Sequence, residues 1–202
     1  MTTKTIDTDR GQAHTVEAFI AALLLISGLL FAMQATAVTP LSASTSNQHI
    51  ENQQRALASG LLSTAAEDGT LKEAVLYWNA SDGEFTNSSD AGYYTSAGSQ
   101  NAFLESLNHT LAERRIAYNV RVRVHNTSGE EPRVRTRSMV EMGQPSDNAV
   151  TASRTVTVYD TDRLTGAEDC QLAECASFYA PNADEDSQLY NRLEVRITTW
   201  RM

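Results

Sequence analysis

The residues able to do chemistry in this chain are few, and their spacing narrows what they can do. Cys170 and Cys175 stand five positions apart in Asp169-Cys-Gln-Leu-Ala-Glu-Cys-Ala. Outside a cell that spacing closes a small disulfide loop; in a reducing compartment the pair is two free thiols. Four intervening residues are too many for a thioredoxin-type pair, and two sulfurs with no histidine beside them are too few for a closed zinc site. The four histidines, His14, His49, His109 and His125, share no metal-ligand spacing with one another or with the cysteines. Glu168-Asp169 and Asp184-Glu185-Asp186 carry the oxygen ligands a hard cation takes, but in an acidic chain they read first as solvated surface. No nucleophile elbow, phosphate-cradling glycine loop or dinucleotide fingerprint occurs. The chain therefore reads as non-enzymatic, with no catalytic residue, no cofactor and no metal. Modification is the remaining chemistry. Asn79, Asn87, Asn108 and Asn126 each open an Asn-x-Ser/Thr sequon, the acceptor pattern for N-linked sugar on an exported chain.

Charge removes a class of partners. The formal net charge is −9, and lysine occurs only at Lys4 and Lys72. A nucleic-acid partner needs a basic field to meet phosphate, so none is expected. An acidic, lysine-poor surface resembles that of proteins from salt-loving archaea, where carboxylates hold hydration at screening lengths of about 3 Å near 1 M salt. The alternating arginines of residues 121–137 mimic a polyanion site, but with so many carboxylates present they are expected to pair across strands.

Residues 18–38, AFIAALLLISGLLFAMQATAV, are the one long apolar run. At about 1.5 Å per residue a helix of that length reaches roughly 30 Å, the hydrocarbon thickness of a bilayer. The chain thus divides into a leader at 1–17, a transmembrane helix at 18–38 and a domain at 39–202. Lys4 and Arg10 precede the run, and the next basic residue is Arg55, so the N-terminus is expected to stay in the cytoplasm and the domain to face outward. Three readings of the start stay open: an uncleaved anchor, a secretory signal cut after Ala35-Thr36-Ala37, and a leader cut on the cytoplasmic side with the helix retained. Glu17 sits at the edge of the run. A carboxylate there is either paired or held at headgroup level, where its charge costs little.

Arg10-Gly11-Gln12, followed by Glu17 and the run from Ala18, resembles the N-terminus of archaeal type IV pilin-like proteins, haloarchaeal ones in particular. The pattern RGQAHTVEAF followed by TAVTPLSASTSNQHIENQQ is similar to a group of haloarchaeal pilin-like membrane proteins, and the match covers roughly residues 9–55. The resemblance implies cleavage by a prepilin peptidase between Gly11 and Gln12. It also implies helices that anchor each subunit in membrane lipid and later pack with other pilin-like subunits, and a Glu17 that pairs with a neighbour's new α-amine to set register. Here the chain departs from the family pattern: cleavage after Gly11 makes Glu17 the sixth mature residue, where pilins have the fifth. A surface domain that binds a ligand and never polymerises is the alternative, with Tyr93 and Tyr94 as candidate contacts.

The elements that would position these groups follow from periodicity. Thr39-Pro40 is expected to bend or interrupt the first helix. A helix resuming at Ser46 would bury Ile50, Leu57, Leu61 and Ala65. Thr70-Leu71-Lys72-Glu73 has the form of a capping box, and residues 79–100 read as a surface loop. Phe103, Leu104, Leu107 and Leu111 make a helical stripe. After residue 116 the period becomes two: Tyr118, Val120, Val122 and Val124 face one way, and Asn119, Arg121, Arg123 and His125 the other. Residues 133–142, 150–159 and 192–200 read as further strands. The expected fold class is α+β, an antiparallel sheet covered by helices on one side behind an N-terminal transmembrane helix.

Overall fold

The computed structural model describes residues 6–96, 98, 100–126, 133–166, 169–175 and 177–201, with side chains described except at 6–12, 35–47, 125, 126 and 133. The chain forms two compact units, Met1–His49 and Ile50–Met202. Helix α1 (Ile6–Glu67) supplies the first and enters the second. The helix is not interrupted at Thr39-Pro40: proline withholds one donor from the ladder, and the bonds on either side of it keep the helix going.

In the second unit α1 buries Gln54, Ala58, Leu62 and Ala65, while Leu57 and Leu61 are only partly covered. The buried stripe is therefore turned away from the expected Ile50, Leu57 and Leu61. Ala58 and Ala65 in this stripe let the helix backbone approach closely, with Leu62 buried between them and Leu57 and Leu61 flanking the contact. Gly69, at φ 81°, ends α1 and starts α2 (Thr70–Leu76). Its carbonyl accepts from Lys72 N–H at 3.0 Å and Glu73 N–H at 3.1 Å. Thr70 is thereby placed inside the helix rather than at its cap, and its hydroxyl donates back to Ala65 O at 3.4 Å. The expected capping box does not form, because the left-handed glycine already makes the turn.

Within the stretch expected as a surface loop, residues 79–94 carry regular pairing. β1 (Trp78–Asn79) and β2 (Glu84–Phe85) make a short hairpin. Tyr94 then pairs with the main sheet, its N–H donating to Met139 O and its carbonyl accepting from Glu141 N–H, both at 2.9 Å. Helix α3 (Ala102–Thr110) starts at Asn101, whose side-chain oxygen accepts from Leu104 N–H at 3.0 Å. A 3-10 turn at Ala112–Arg114 and a left-handed Arg115 (φ 59°) redirect the chain into the sheet.

Strands β3 (Ile116–Asn126), β4 (Arg133–Glu141), β5 (Val150–Tyr159) and β6 (Leu189–Arg201) form an antiparallel sheet of order β4-β3-β6-β5. Tyr118, Val120, Val122 and Val124 of β3 line its inner face with Val156 and Val158 of β5 and Leu193, Val195 and Ile197 of β6. All join one core with α1, α2 and α3. The outermost strands carry cations on that same face: Arg135 and Arg137 stand opposite Val124 and Val122, and Arg154 opposite Val195. An inward charge on an edge strand opposes pairing with another sheet. The Arg137 guanidinium lies over the Trp78 ring, 5.2 Å from its centroid.

A bulge between Val120 and Arg121 pairs Val120 with Val140 and Arg121 with Ser138. Met139 and Val140 are consequently both buried. Asn119, expected on the solvent face, is buried here and holds the bulge. Its amide donates to Glu141 Oε1 and Gly143 O, each at 2.9 Å, and its oxygen accepts from Met142 N–H at 2.8 Å.

The connection from β5 to β6 covers much of the remaining apolar surface. Thr165 N–H donates to Leu76 O at 3.0 Å, Trp78 Nε1 to Ser177 O at 2.8 Å, and the Tyr179 hydroxyl to Val75 O at 2.9 Å. Lys72 and Asp162 are ion-paired at 2.6 Å. Gly166 sits so close to β1 that an added Cβ would strike Thr86 Oγ1 and come within 2.7 Å of Trp78 O. Gly166→Ala is expected to destabilise the fold by about 1–3 kcal/mol, seen as a lower midpoint when the full chain in detergent is unfolded thermally. Asn119→Ala is expected to cost about 0.5–1.5 kcal/mol per hydrogen bond lost, since the half-buried Glu141 and Met142 N–H lose their partner at the bulge.

Candidate functional site

Two features stand out once the fold is in place: the apolar helix, and the charged face of the sheet. Along α1 the large apolar side chains from Val16 to Met33 are between 52% and 75% exposed. Ala13–Gln34 is long and apolar enough to cross a membrane, and none of its most apolar stretch is buried in the protein. Ser27, its one central polar side chain, donates to Leu23 O at 2.8 Å and Leu24 O at 3.1 Å. The hydroxyl is thereby satisfied within the helix itself.

Glu17 lies on α1 with His14 as its neighbour, Nδ1 to Oε2 3.7 Å, and both side chains are exposed. Gly11 and Gln12 lie in the helical backbone of α1, and the side chain of Gln12 is outside those described. The helix therefore begins well before the apolar run, and Glu17 stands within it, about one and a half turns from the Gly11-Gln12 pair.

On the second unit, Arg121 pairs with Glu141 at 2.9 Å, while Arg123 at 3.0 Å and Arg196 at 3.1 Å converge on Glu194. Arg121 and Arg123 are thus paired across the strands as expected, whereas Arg137 lies over the Trp78 ring and the side chain of Arg133 is outside those described. Burial raises the Glu194 carboxyl pKa, but hydrogen bonds from Arg196 and Ser153 and the charges of Arg196 and Arg123 outweigh it, and the net shift is downward. At the exposed pair formed by Arg163 and Asp169, the guanidinium donates to the carboxylate at 2.5 Å and holds the Asp169 carboxyl below its ordinary value.

Cys170 and Cys175 are joined as a disulfide, with Cα atoms 5.8 Å apart. Leu172 is buried between them, and Leu164 N–H donates to Cys170 O at 3.0 Å, so the small loop is tied to the core. Tyr94 is a core residue rather than a contact surface: its hydroxyl donates to Thr86 O at 2.6 Å and burial raises its pKa. Tyr93 beside it is half-buried. Asn79 lies in β1, Asn87 on the exposed turn after β2 and Asn108 on the exposed side of α3, while Asn126 ends β3 with its side chain outside those described. Among the described residues, no three His, Cys, Asp or Glu side chains are grouped to hold a metal ion.

These features define an α+β protein with an N-terminal apolar helix ahead of a domain of helices and antiparallel sheet. The chain belongs to a family of unknown function, DUF7288, whose model matches residues 10–199. No curated protein and no solved structure matches it.

A carboxyl held below its ordinary value stabilises the fold above that value, and the contribution is lost as pH falls through the folded one. Glu194→Gln is therefore expected to lower the unfolding temperature at neutral pH. It should also flatten the fall in stability between about pH 5 and pH 3, as followed by circular dichroism across that range.

Proposed function

We propose that this protein is a non-enzymatic, single-pass surface protein, a pilin-like structural or accessory subunit of a filament or secretion assembly. The observation that supports this most is the bare apolar helix. Burying a large apolar side chain is worth about 1.5–3 kcal/mol, and along Val16–Met33 these side chains are left uncovered by the protein itself. Lipid covers them in the stored subunit, and sister helices cover them after assembly. Small residues favour the second step. At about 100° per residue, Ala21, Gly28 and Ala32 fall on the face that carries His14 and Glu17, and a Cβ placed on Gly28 would meet nothing within 4 Å. Such stripes let helix backbones approach closely.

The N-terminus stays in the cytoplasm and residues 39–202 face outward. Lys4 and Arg10 ahead of the span favour this orientation, and so does a disulfide in the domain. The net charge of −9 suits a salt-rich, archaeal setting. A prepilin-type peptidase removes the leader between Gly11 and Gln12, which requires the first turns of α1 to unwind. The freed α-amine of a neighbouring subunit then competes with His14 for Glu17 and sets the register.

Mass spectrometry of the mature chain is expected to find Gln12 at its start, and Gly11→Trp is expected to leave the leader attached. A start at Val38 would make the protein a secreted domain. An intact Met1 would make it a plain anchor. In either case the filament reading fails.

A further inference from the structure

We propose that Asn87 carries an N-linked sugar on the folded protein, and that the sequons at Asn79 and Asn108 stay bare. The proposal rests on the outward placement of residues 39–202 argued above. The sequence makes Asn79, Asn87 and Asn108 equivalent, since each has Ser or Thr two positions on. The structure does not. Because the sequon includes that second hydroxyl, an acceptor must offer both its amide nitrogen and the hydroxyl to one enzyme.

At Asn79 both ends of the amide are in use. Nδ2 donates to Asp82 Oδ2 at 2.7 Å, and Oδ1 accepts from Ser81 N–H at 3.0 Å and Asp82 N–H at 3.2 Å. These bonds build the turn of the β1–β2 hairpin, so engaging the amide elsewhere would open it. At Asn108 the obstacle is angular. The residue lies within α3, where successive side chains advance by about 100°, which puts Thr110 about 200° round the helix from the amide.

Asn87 meets neither obstacle. It is exposed, it has φ 57°, and the turn is closed from Ser88 N–H to Phe85 O at 3.0 Å. Its amide nitrogen makes one long bond, 3.4 Å to the Tyr77 hydroxyl. Ser89, half-buried, donates its hydroxyl to Tyr93 O at 2.6 Å, which fixes the position of the hydroxyl oxygen two residues from the amide. The positive φ suits asparagine, one of the few non-glycine residues that adopt it readily. The donor is a sugar carried on a lipid phosphate. Asn87 Nδ2 attacks the anomeric carbon, the bond from that carbon to the phosphate oxygen breaks, and the lipid phosphate leaves with the electron pair. The amide gives up one proton, and nothing is oxidised or reduced.

The test is peptide mass spectrometry on the full chain purified from its native membranes. The Asn87 peptide should carry sugar on most copies, with the Asn79 and Asn108 peptides at their unmodified masses. Asn87→Asp and, separately, Ser89→Ala should each remove that mass while the unfolding temperature stays within a few degrees. A bare Asn87, or sugar on Asn79 or Asn108 at equal occupancy, would overturn the assignment. The Cys170–Cys175 pair in the same sample separates two failures. If it is oxidised and Asn87 is bare, the chain is exported and this site alone is wrong. Free thiols with no sugar anywhere would take the outward placement down as well.

Discussion

The constraint behind the second unit is that a four-stranded sheet with one apolar face must have that face covered. Val120, Val122, Val195 and Ile197 are fully buried at its centre, and three different parts of the chain meet to bury them. The last turns of α1 come in over alanines. Gly69 then turns the chain so sharply that α2 follows at once, and α3 is set by its asparagine cap. The connection between β5 and β6 covers what is left, tied down by the Trp78 and Tyr179 hydrogen bonds to Ser177 O and Val75 O. The rings of Trp78, Phe85 and Tyr179 pack edge-on and tilted against one another at 4.9–5.8 Å, which gives this cover a fixed shape rather than a greasy contact.

The opposite face of the sheet solves a different problem. It faces water and carries threonine, serine and arginine, with two glutamates that gather the arginines into pairs. The arginines that fall on the inner face do so on the two outer strands, where they deter edge-to-edge growth of the sheet. In the proposed assembly, cohesion between copies is thus left to the apolar helix. That helix has the reverse character of the domain: it is covered with apolar side chains, Ser27 at its middle is satisfied within it, and the His14–Glu17 pair sits near the start of the apolar stretch.

Much of this was legible in the sequence. The alternation in β3 and the stripe of α3 appear where the periodicity puts them, because a residue's partners there are set by its own strand or helix. The misses share a cause. Asn119 alternates with the valines as a solvent residue, yet a bulge that no pattern announces buries it. Thr70 and Glu73 have capping-box spacing, but the glycine before them was already committed to a turn. Tyr94 sits in a polar stretch and is drawn into the core by pairing with β4. The connection between β5 and β6 gives little sign of its role, for its binding groups, the Thr165 N–H, the Ser177 carbonyl, the Tyr179 hydroxyl and the Asp162 carboxylate, follow no spacing, and Gly166 is made indispensable only by the neighbouring strand.

By itself the amino-acid order determined what is local: an apolar helix near the start, a domain with period-two strands after residue 116, an acidic surface poor in lysine, and the set of groups open to modification. Each of these depends on side-chain character and on repeat distances fixed by backbone geometry. Only the tertiary structure decided which asparagine is drawn into a bulge, which tyrosine is buried, and which arginines meet which glutamates. Those outcomes depend on strand register and on segments far apart in the chain, where a shift of one residue exchanges the inside of a sheet for its outside.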